Sequence, residues 1–393
     1  MIRRDLCNLL LRAAGQHPAV TLTGPRQSGK STLCRGLFPG KPYANLEAPD
    51  TRSFAADDPR AFLAQFPEGA ILDEVQRTPE LPSYLQGIID DNPAPGRWIL
   101  TGSQNLALSE SVSQSLAGRS AVLLPLAWSE IVRFERHPDS LDEALVAGGY
   151  PRIFDRGLDP ADWLRSYVAT YIERDVRTIS NIGDLVTFQR FVELCAGRTG
   201  QLLNYSALAS DCGVSQPTAK AWLSVLETSF IAFRLPAFHY NQRKRLVKMP
   251  KLHFYDTGLA CWLLGIRSAD QLRSHPLRGA IFETWVVSEI MKHRTNGGVS
   301  GGVSFYRDKD GVEADLVIED GGRLVAVEAK AAATASTSLF DGATRVRGLL
   351  ESTDRKVESI VVYGGDEPQQ RSSSALLPWA CLNEHGMGIG VGG

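Results

Sequence analysis

The residues best equipped for chemistry stand at Gly24-Pro25-Arg26-Gln27-Ser28-Gly29-Lys30-Ser31, with Thr32 next in line. Two glycines separated by four residues and followed by Lys-Ser have the spacing of a phosphate-cradling loop, provided that a strand precedes it and a helix follows. Both flanks fit: residues 19–23 are an apolar run, and the residues from Lys30 onward read as a helix. In that setting the glycines permit a tight turn, and successive backbone N–H groups converge with the helix N-terminus on phosphate oxygens. Lys30 can set its charge against the β- and γ-phosphates, and Ser31 can offer its hydroxyl to Mg²⁺. Taken alone, the loop implies nucleotide binding and no more.

A second set turns binding into hydrolysis. Ala70-Ile71-Leu72-Asp73-Glu74 reads as a buried strand ending in two acids. Asp73 would hold Mg²⁺, directly or through water, and Glu74 would take the proton of the attacking water as general base. The run Trp98-Ile99-Leu100-Thr101 leads into Gly102-Ser103-Gln104. Ser103 or Gln104 at that strand end can position the water; the plainer reading of both is a turn with a helix cap. The expected cofactors are ATP and Mg²⁺.

A carboxylate set lies far downstream. Asp310-Gly311-Val312-Glu313-Ala314-Asp315-Leu316-Val317-Ile318 and Leu324-Val325-Ala326-Val327-Glu328-Ala329-Lys330 read as paired strands across a Gly-Gly turn. Alternation puts Glu313 with Asp315, and Glu328 with Lys330. Upstream, Glu283 lies on an amphipathic helix with Phe282, Val286 and Ile290. An acid on one strand followed by Glu-x-Lys on the next resembles the PD-(D/E)xK nuclease fold. In that arrangement Glu283, Asp315 and Glu328 would bind Mg²⁺, which supplies a hydroxide nucleophile. Lys330 would orient that nucleophile or offset developing charge. Such residues also serve DNA binding or packing without any cleavage, and both readings stand at this point.

Between the two sets, Tyr205 to Leu223 reads as helix–turn–helix: Leu208 and Ala209 face inward, Gly213 permits the turn, Ser215 caps the second helix and Pro217 fits its first turn. Such a second helix can enter a major groove, with Gln216, Thr218 and Lys220 toward DNA; the alternative is a winged helix used for protein contacts. A basic stretch follows, with Arg243, Lys244, Arg245, Lys248 and Lys251. It can sit on phosphates or be an ordinary solvated face.

GPRQSGKST, AILDEVQ, WILTGSQ and SLAGR, in this order, resemble the AAA-type ATPases of bacteria and archaea that carry a C-terminal domain of unknown function. GGYPR, YIERDV, FYDTGLA and FYRDKDGVEAD match the same pattern, so the resemblance covers nearly the whole chain. It implies a P-loop core with an additional strand, then a lid and a C-terminal module. It further implies that Arg119 acts as an arginine finger on a neighbouring subunit, which would need an oligomer, such as a ring; the alternative is a surface arginine at a helix end. Arg152, after the Gly-Gly-Tyr-Pro turn, can sense the γ-phosphate from the lid.

The elements that must position these residues follow from the pattern. Short apolar runs at 19–23, 43–46, 70–73, 98–101 and 121–124 alternate with helical stretches, which implies a parallel α/β sheet. The expected order is an AAA-type P-loop core over 1–125, a helical lid over 126–198, a winged-helix-like segment over 199–240, a restriction-endonuclease-like α/β domain over 241–385 and a tail over 386–393. Ile2, Leu6, Leu9, Leu10 and Ala13 fall at helical spacing, so the N-terminus reads as an amphipathic helix and not as a signal peptide. Six scattered cysteines without a CxxC pair argue against zinc and disulfides and fit a reducing cytoplasm. A net charge of −2 advertises no nucleic acid globally, and no apolar run approaches a membrane span. The combined expectation is an Mg²⁺-dependent ATPase that binds and processes DNA, branched or broken forms included. The alternative is a nucleotide-controlled switch acting on protein partners, with an inactive nuclease-like domain. A small-molecule kinase is disfavoured by Glu74 and by the C-terminal module.

Overall fold

The computed structural model describes residues 2–103, 120–170, 184–238, 249–351, 355–371 and 374–382. The chain divides into two compact units: Met1–Leu126 with Thr228–Phe230 and Thr295–Gly298, and the remainder. Arg119, Gln104, the YIERDV segment and residues 243–248 of the basic stretch lie outside the described residues.

The first unit is built on β1 (Ala19–Thr23), β2 (Tyr43–Asn45), β3 (Ile71–Asp73), β4 (Trp98–Gly102) and β5 (Ser120–Val122). Every pairing is parallel, in the order β2-β3-β4-β1-β5. The fourth strand therefore lies between the strand that leads into the phosphate loop and the strand that carries Asp73. Strand alternation sorts the side chains to two faces. Val20, Leu22, Ile71 and Ile99 pack with Leu6, Leu10 and Leu33 from α1 (Cys7–Gln16) and α2 (Lys30–Leu37) and their flanks. Leu72, Trp98 and Leu100 pack on Phe62, Leu63, Leu81, Leu85 and Ile89 on the opposite face. Both faces are covered, as an all-parallel sheet requires.

The second unit holds α3 (Leu141–Ala147), α4 (Pro151–Arg156), α5 (Tyr205–Cys212), α7 (Thr257–Leu263) and all but the last residues of α6 (Gln216–Thr228) and α8 (Arg278–Asn296). α5 and α6 meet at Gly213, as expected, with Leu208, Ala209, Leu223 and Leu226 buried. They accompany a three-stranded antiparallel sheet in which β8 (Lys251–Phe254) lies between β6 (Gln201–Leu202) and β7 (Ala232–Leu235). Residues 251–254, expected beyond a boundary at 240/241, thus belong to the sheet beside the helix pair.

The C-terminal sheet runs β9 (Val303–Arg307), β10 (Glu313–Asp320) and β11 (Arg323–Lys330) as an antiparallel meander. α9 (Asp341–Leu350) then crosses to β12 (Lys356–Tyr363), which lies parallel to β11. β13 (Gln369–Gln370) and β14 (Ala375–Pro378) complete the far edge. Ala343, Val346 and Leu350 of α9 pack on the sheet against residues such as Ala326, Val357 and Val361. Among the described residues no helix is long and apolar enough to cross a membrane.

Two segments noted in the sequence, Gly148-Gly149-Tyr150 and Tyr255-Asp256-Thr257-Gly258, lock together. Asp256 is buried, caps α7 through the N–H of Leu259 (2.8 Å) and accepts the N–H of Gly149 (2.7 Å). Burial pushes its carboxyl above the usual range, against the pull of Lys292 and of these two backbone donors. Gly258 must be glycine because a Cβ would stand 2.8 Å from the Gly148 nitrogen. These motifs therefore have a packing role. Asp256→Ala leaves two buried N–H groups unpaired and should lower stability by about 2–3 kcal/mol. Urea unfolding of the variant measures this; a change under about 0.5 kcal/mol would leave the contact without structural weight.

Candidate functional site

The phosphate loop is shaped by contacts outside it. Gly24 has φ 148°, and a Cβ there would run into the carbonyl of Leu123, just beyond β5. Arg4, before α1, is buried and donates to the carbonyls of Ser28 and Leu124, each at 2.9 Å. Gly29 caps α2 in a left-handed conformation with no side-chain hydrogen bond. The cap residue consequently offers no side chain that competes for the first N–H groups of α2, the arrangement that receives an anion. Ser28 is buried and its hydroxyl has no hydrogen-bond partner among the described residues.

Lys30 is 4% exposed, and its Nζ donates to the carbonyls of Gly24 (3.0 Å) and Pro25 (2.8 Å). Burial lowers its pKa, offset in part by Glu74 and Asp73. The loop thus already holds the ammonium against its own backbone, beside the two acids. Ser31 Oγ donates to Asp73 Oδ2 at 2.7 Å, so the two residues expected to share a metal are in contact. Thr101 donates to the other oxygen, Oδ1, and the Tyr43 hydroxyl reaches Oδ2 at 2.5 Å. Burial and Asp73 together raise the Tyr43 pKa, so the phenol stays a donor.

Glu74 follows β3 in a left-handed backbone conformation, φ 60° and ψ 47°. A non-glycine residue there costs on the order of 1 kcal/mol, and such strain collects at functional sites. Its Oε2 accepts from Ser103 Oγ (2.9 Å) and from Gln76 Nε2, while Gln76 also donates to Ser103 (2.9 Å). The strand ends thus bring together Lys30, Ser31, Asp73, Glu74 and Ser103, which lie far apart in sequence. Arg26 reaches Glu47 at 3.4 Å.

The second unit brings its own set together. Glu283 from α8, Glu313 and Asp315 from β10, and Glu328 and Lys330 from β11 lie near one another. They meet a residue expected elsewhere. Lys251 Nζ lies 2.7 Å from Glu283 Oε1, 2.6 Å from Glu313 Oε1 and 3.6 Å from Asp315 Oδ1. It is 3% exposed, which corrects its reading as part of a basic surface for phosphates: in the sheet beside the helix pair it faces carboxylates. Burial opposes its charge, yet Glu283, Asp315 and Glu313 outweigh that and hold its pKa above normal. Glu283 is pushed up to about 8, and Glu328 to about 7, first by burial and then by Asp315. Lys330 pairs with Glu328 Oε1 at 2.6 Å. Arg152 is exposed on α4.

Residues 16–132 match the family described as AAA domain, residues 138–270 a domain of unknown function (DUF8612), and residues 278–382 a domain of unknown function (DUF4143). Two curated mycobacterial relatives, uncharacterized protein Rv2008c of Mycobacterium tuberculosis and uncharacterized protein Mb2031c of Mycobacterium bovis, are each 30% identical over 339 residues, 86% of this chain and 75% of the relative. This chain belongs to their family of AAA-type P-loop ATPases. Among solved structures, the Walker-type ATPase PABY2304 of Pyrococcus abyssi aligns at 15% identity, covering 66% of this chain and 95% of that one, with a TM-score of 0.43. The Aeropyrum pernix ORC1 protein in complex with DNA aligns at 15% identity, covering 69% and 94%, with a TM-score of 0.31.

In this ATPase, sequence reasoning missed Arg4, Tyr43, Gln76 and Thr101, none of which sits in a recognisable spacing. Thr101 alone carried a signal, as a polar residue at the end of the strand beside Asp73. His253 was missed as well: it is fully buried, its Nδ1 lies 3.0 Å from Thr284 Oγ1, and burial with Lys251 nearby lowers its pKa to about 3. A depressed histidine stays neutral in the folded chain while the unfolded chain takes up a proton below its ordinary pKa of 6.5. Stability is therefore lost as pH falls from about 6.5 toward 3, by roughly 1 kcal/mol between pH 6.5 and 5.5. His253→Gln should flatten that slope in urea titrations across this window; an unchanged slope would remove His253 as its source.

Proposed function

We propose that this ATPase hydrolyses ATP with Mg²⁺ at the loop Gly24–Thr32 and that its second unit answers as a DNA-binding module that does not cut. The observation that carries the first part is the contact of Ser31 with Asp73 beside the turn that presents Glu74. Ser31 and Asp73 would hold Mg²⁺, which would supply positive charge against the phosphates. The loop N–H groups between Arg26 and Thr32, at the start of α2, bind the phosphates, and the Ser28 hydroxyl, without a partner among the described residues, supports a polar ligand in this loop. Lys30 leaves the carbonyls of Gly24 and Pro25 for the β- and γ-phosphate oxygens. Glu74 takes the proton of the attacking water as the water oxygen bonds to the γ-phosphorus and the bond to ADP breaks. Ser103, hydrogen-bonded to Glu74, orients that carboxylate or the water itself. Arg119 from a neighbouring subunit remains the proposed finger, and Arg152 a proposed sensor.

The DNA reading is supported by α5 and α6, whose inner faces are buried while Gln216 and Lys220 are exposed. The C-terminal meander, crossover helix and parallel strand, with Glu283, Asp315, Glu328 and Lys330 on facing elements, support a nuclease-like origin for the module. The ammonium of Lys251 among those acids favours the form without cleavage. This reading takes the inactive nuclease-like domain from the alternative of a switch acting on protein partners, but keeps DNA as the partner, recognised by α6.

Glu74→Gln should still bind ATP while turnover falls about 100-fold or more; unchanged turnover would strip Glu74 of its role. For the output, anisotropy of labelled duplex should report a complex that weakens steeply between about 50 and 200 mM salt and further with Lys220→Glu. A flat, unbound signal at low salt would retire the DNA half and leave the ATPase half standing.

A further inference from the structure

The metal that the nuclease-like reading asks for can be tested against the side chains present. Glu283 Oε1, Glu313 Oε1 and Asp315 Oδ1 face Lys251 Nζ at 2.7, 2.6 and 3.6 Å. Asp315 Oδ2 accepts the N–H of Ala329 at 2.8 Å, and Glu328 Oε1 is paired with Lys330 at 2.6 Å. Glu313 Oε2 is shared with Arg307 at 3.4 Å. Mg²⁺ demands several oxygens at about 2.0–2.1 Å in near-octahedral array and keeps part of its water. An ammonium already bonded to the same oxygens leaves neither the space nor the charge for it. Among the described residues no three His, Cys, Asp or Glu side chains are arranged to hold a metal ion. The set does not fit the metal.

Lys251 reaches these acids from a different sheet. It begins β8, paired with Leu202 on one side and Leu235 on the other, which pins its backbone between two neighbours. The carboxylates come from α8, β10 and β11. Four acids brought together out of water repel one another and lose hydration, which is tolerable only with a cation among them. We infer that Lys251 is a built-in cation standing where a divalent metal would sit, so that the C-terminal module is held closed by its own chain and binds no metal. The inference rests on the nuclease-like reading proposed above. It also assigns Lys251 a second effect, since the ion pairs tie the sheet beside the helix pair to the C-terminal sheet. Glu328 Oε2, buried and without a hydrogen-bond partner among the described residues, is the acceptor left over in this closed set.

The test is Mn²⁺ binding by the full chain, followed by electron paramagnetic resonance without nucleotide, in an Asp73→Ala background that removes the metal ligand of the phosphate loop. With Lys251 present, no Mn²⁺ should bind in a way that depends on Asp315 up to about 1 mM. Lys251→Met keeps the aliphatic stem and removes the charge; it should gain one Mn²⁺ at least tenfold more tightly, and adding Asp315→Ala should abolish it. If Lys251→Met does not fold by circular dichroism, Lys251→Met with Glu283→Gln removes one charge of each sign and should show the same gain. Binding that depends on Asp315 while Lys251 is intact would overturn the inference and leave the nuclease-like reading standing. Folded variants that gain no Mn²⁺ would overturn both, because the acids would then form no metal set at all.

Discussion

A phosphate loop works only if a stretch of backbone is held open against its own tendency to close, and here the hold comes from Gly24 lying against the carbonyl of Leu123. The strand β1 must be flanked by β5 for that contact to exist, and the N–H of Leu123 bonds to the Thr23 carbonyl at 2.7 Å. No side chain fits between the two backbones. Arg4 adds a second clasp by bonding the carbonyls of Ser28 and Leu124, which would otherwise be buried acceptors needing partners. The chemistry depends on these contacts: the start of α2 can face phosphate only while its donors stay unclaimed. From the neighbouring strands, Thr101 and Tyr43 restrain Asp73, while Ser103, just past β4, and Gln76, in the turn after β3, restrain Glu74. Each acid is therefore oriented by at least one donor from beyond its own strand.

The second unit obeys a related constraint, that charge removed from water must find a partner. Two solutions appear. Asp256 is satisfied by backbone N–H groups and joins two loops. Glu283, Glu313 and Asp315 are satisfied by an ammonium from another sheet. Coulomb attraction at these distances exceeds that of surface pairs because burial excludes solvent, but the same burial makes any unpaired member costly. A set of acids arranged on strand faces is therefore not evidence of a metal until every oxygen has been followed to its partner.

Legibility in the sequence varied with the length scale of the contact. The strand positions of the first unit and the strands at 303–307, 313–320 and 323–330 follow short apolar stretches, which each segment carries by itself. The convergence of Asp315 with Glu328 was readable because adjacent strands across a short turn pair predictably. Lys251 was misread because a lysine in a basic stretch looks like any solvated charge. Its burial depends on β8 being the middle strand of its sheet, and periodicity over four residues does not reveal that. Tyr43 and Gln76 were silent for the same reason.

By itself, then, the sequence determined what contiguous residues can do: the glycine spacing and Lys-Ser of the phosphate loop, the two acids ending a strand, and the helix pair around Gly213. These are local because backbone conformation and short-range hydrogen bonds decide them. Only the tertiary structure decided which strand end lies beside which, hence that Ser31, Tyr43 and Thr101 all meet Asp73, and that Lys251 stands among Glu283, Glu313 and Asp315. The physical reason is that electrostatics and packing act on distance in space, which chain order leaves open until the sheets have formed.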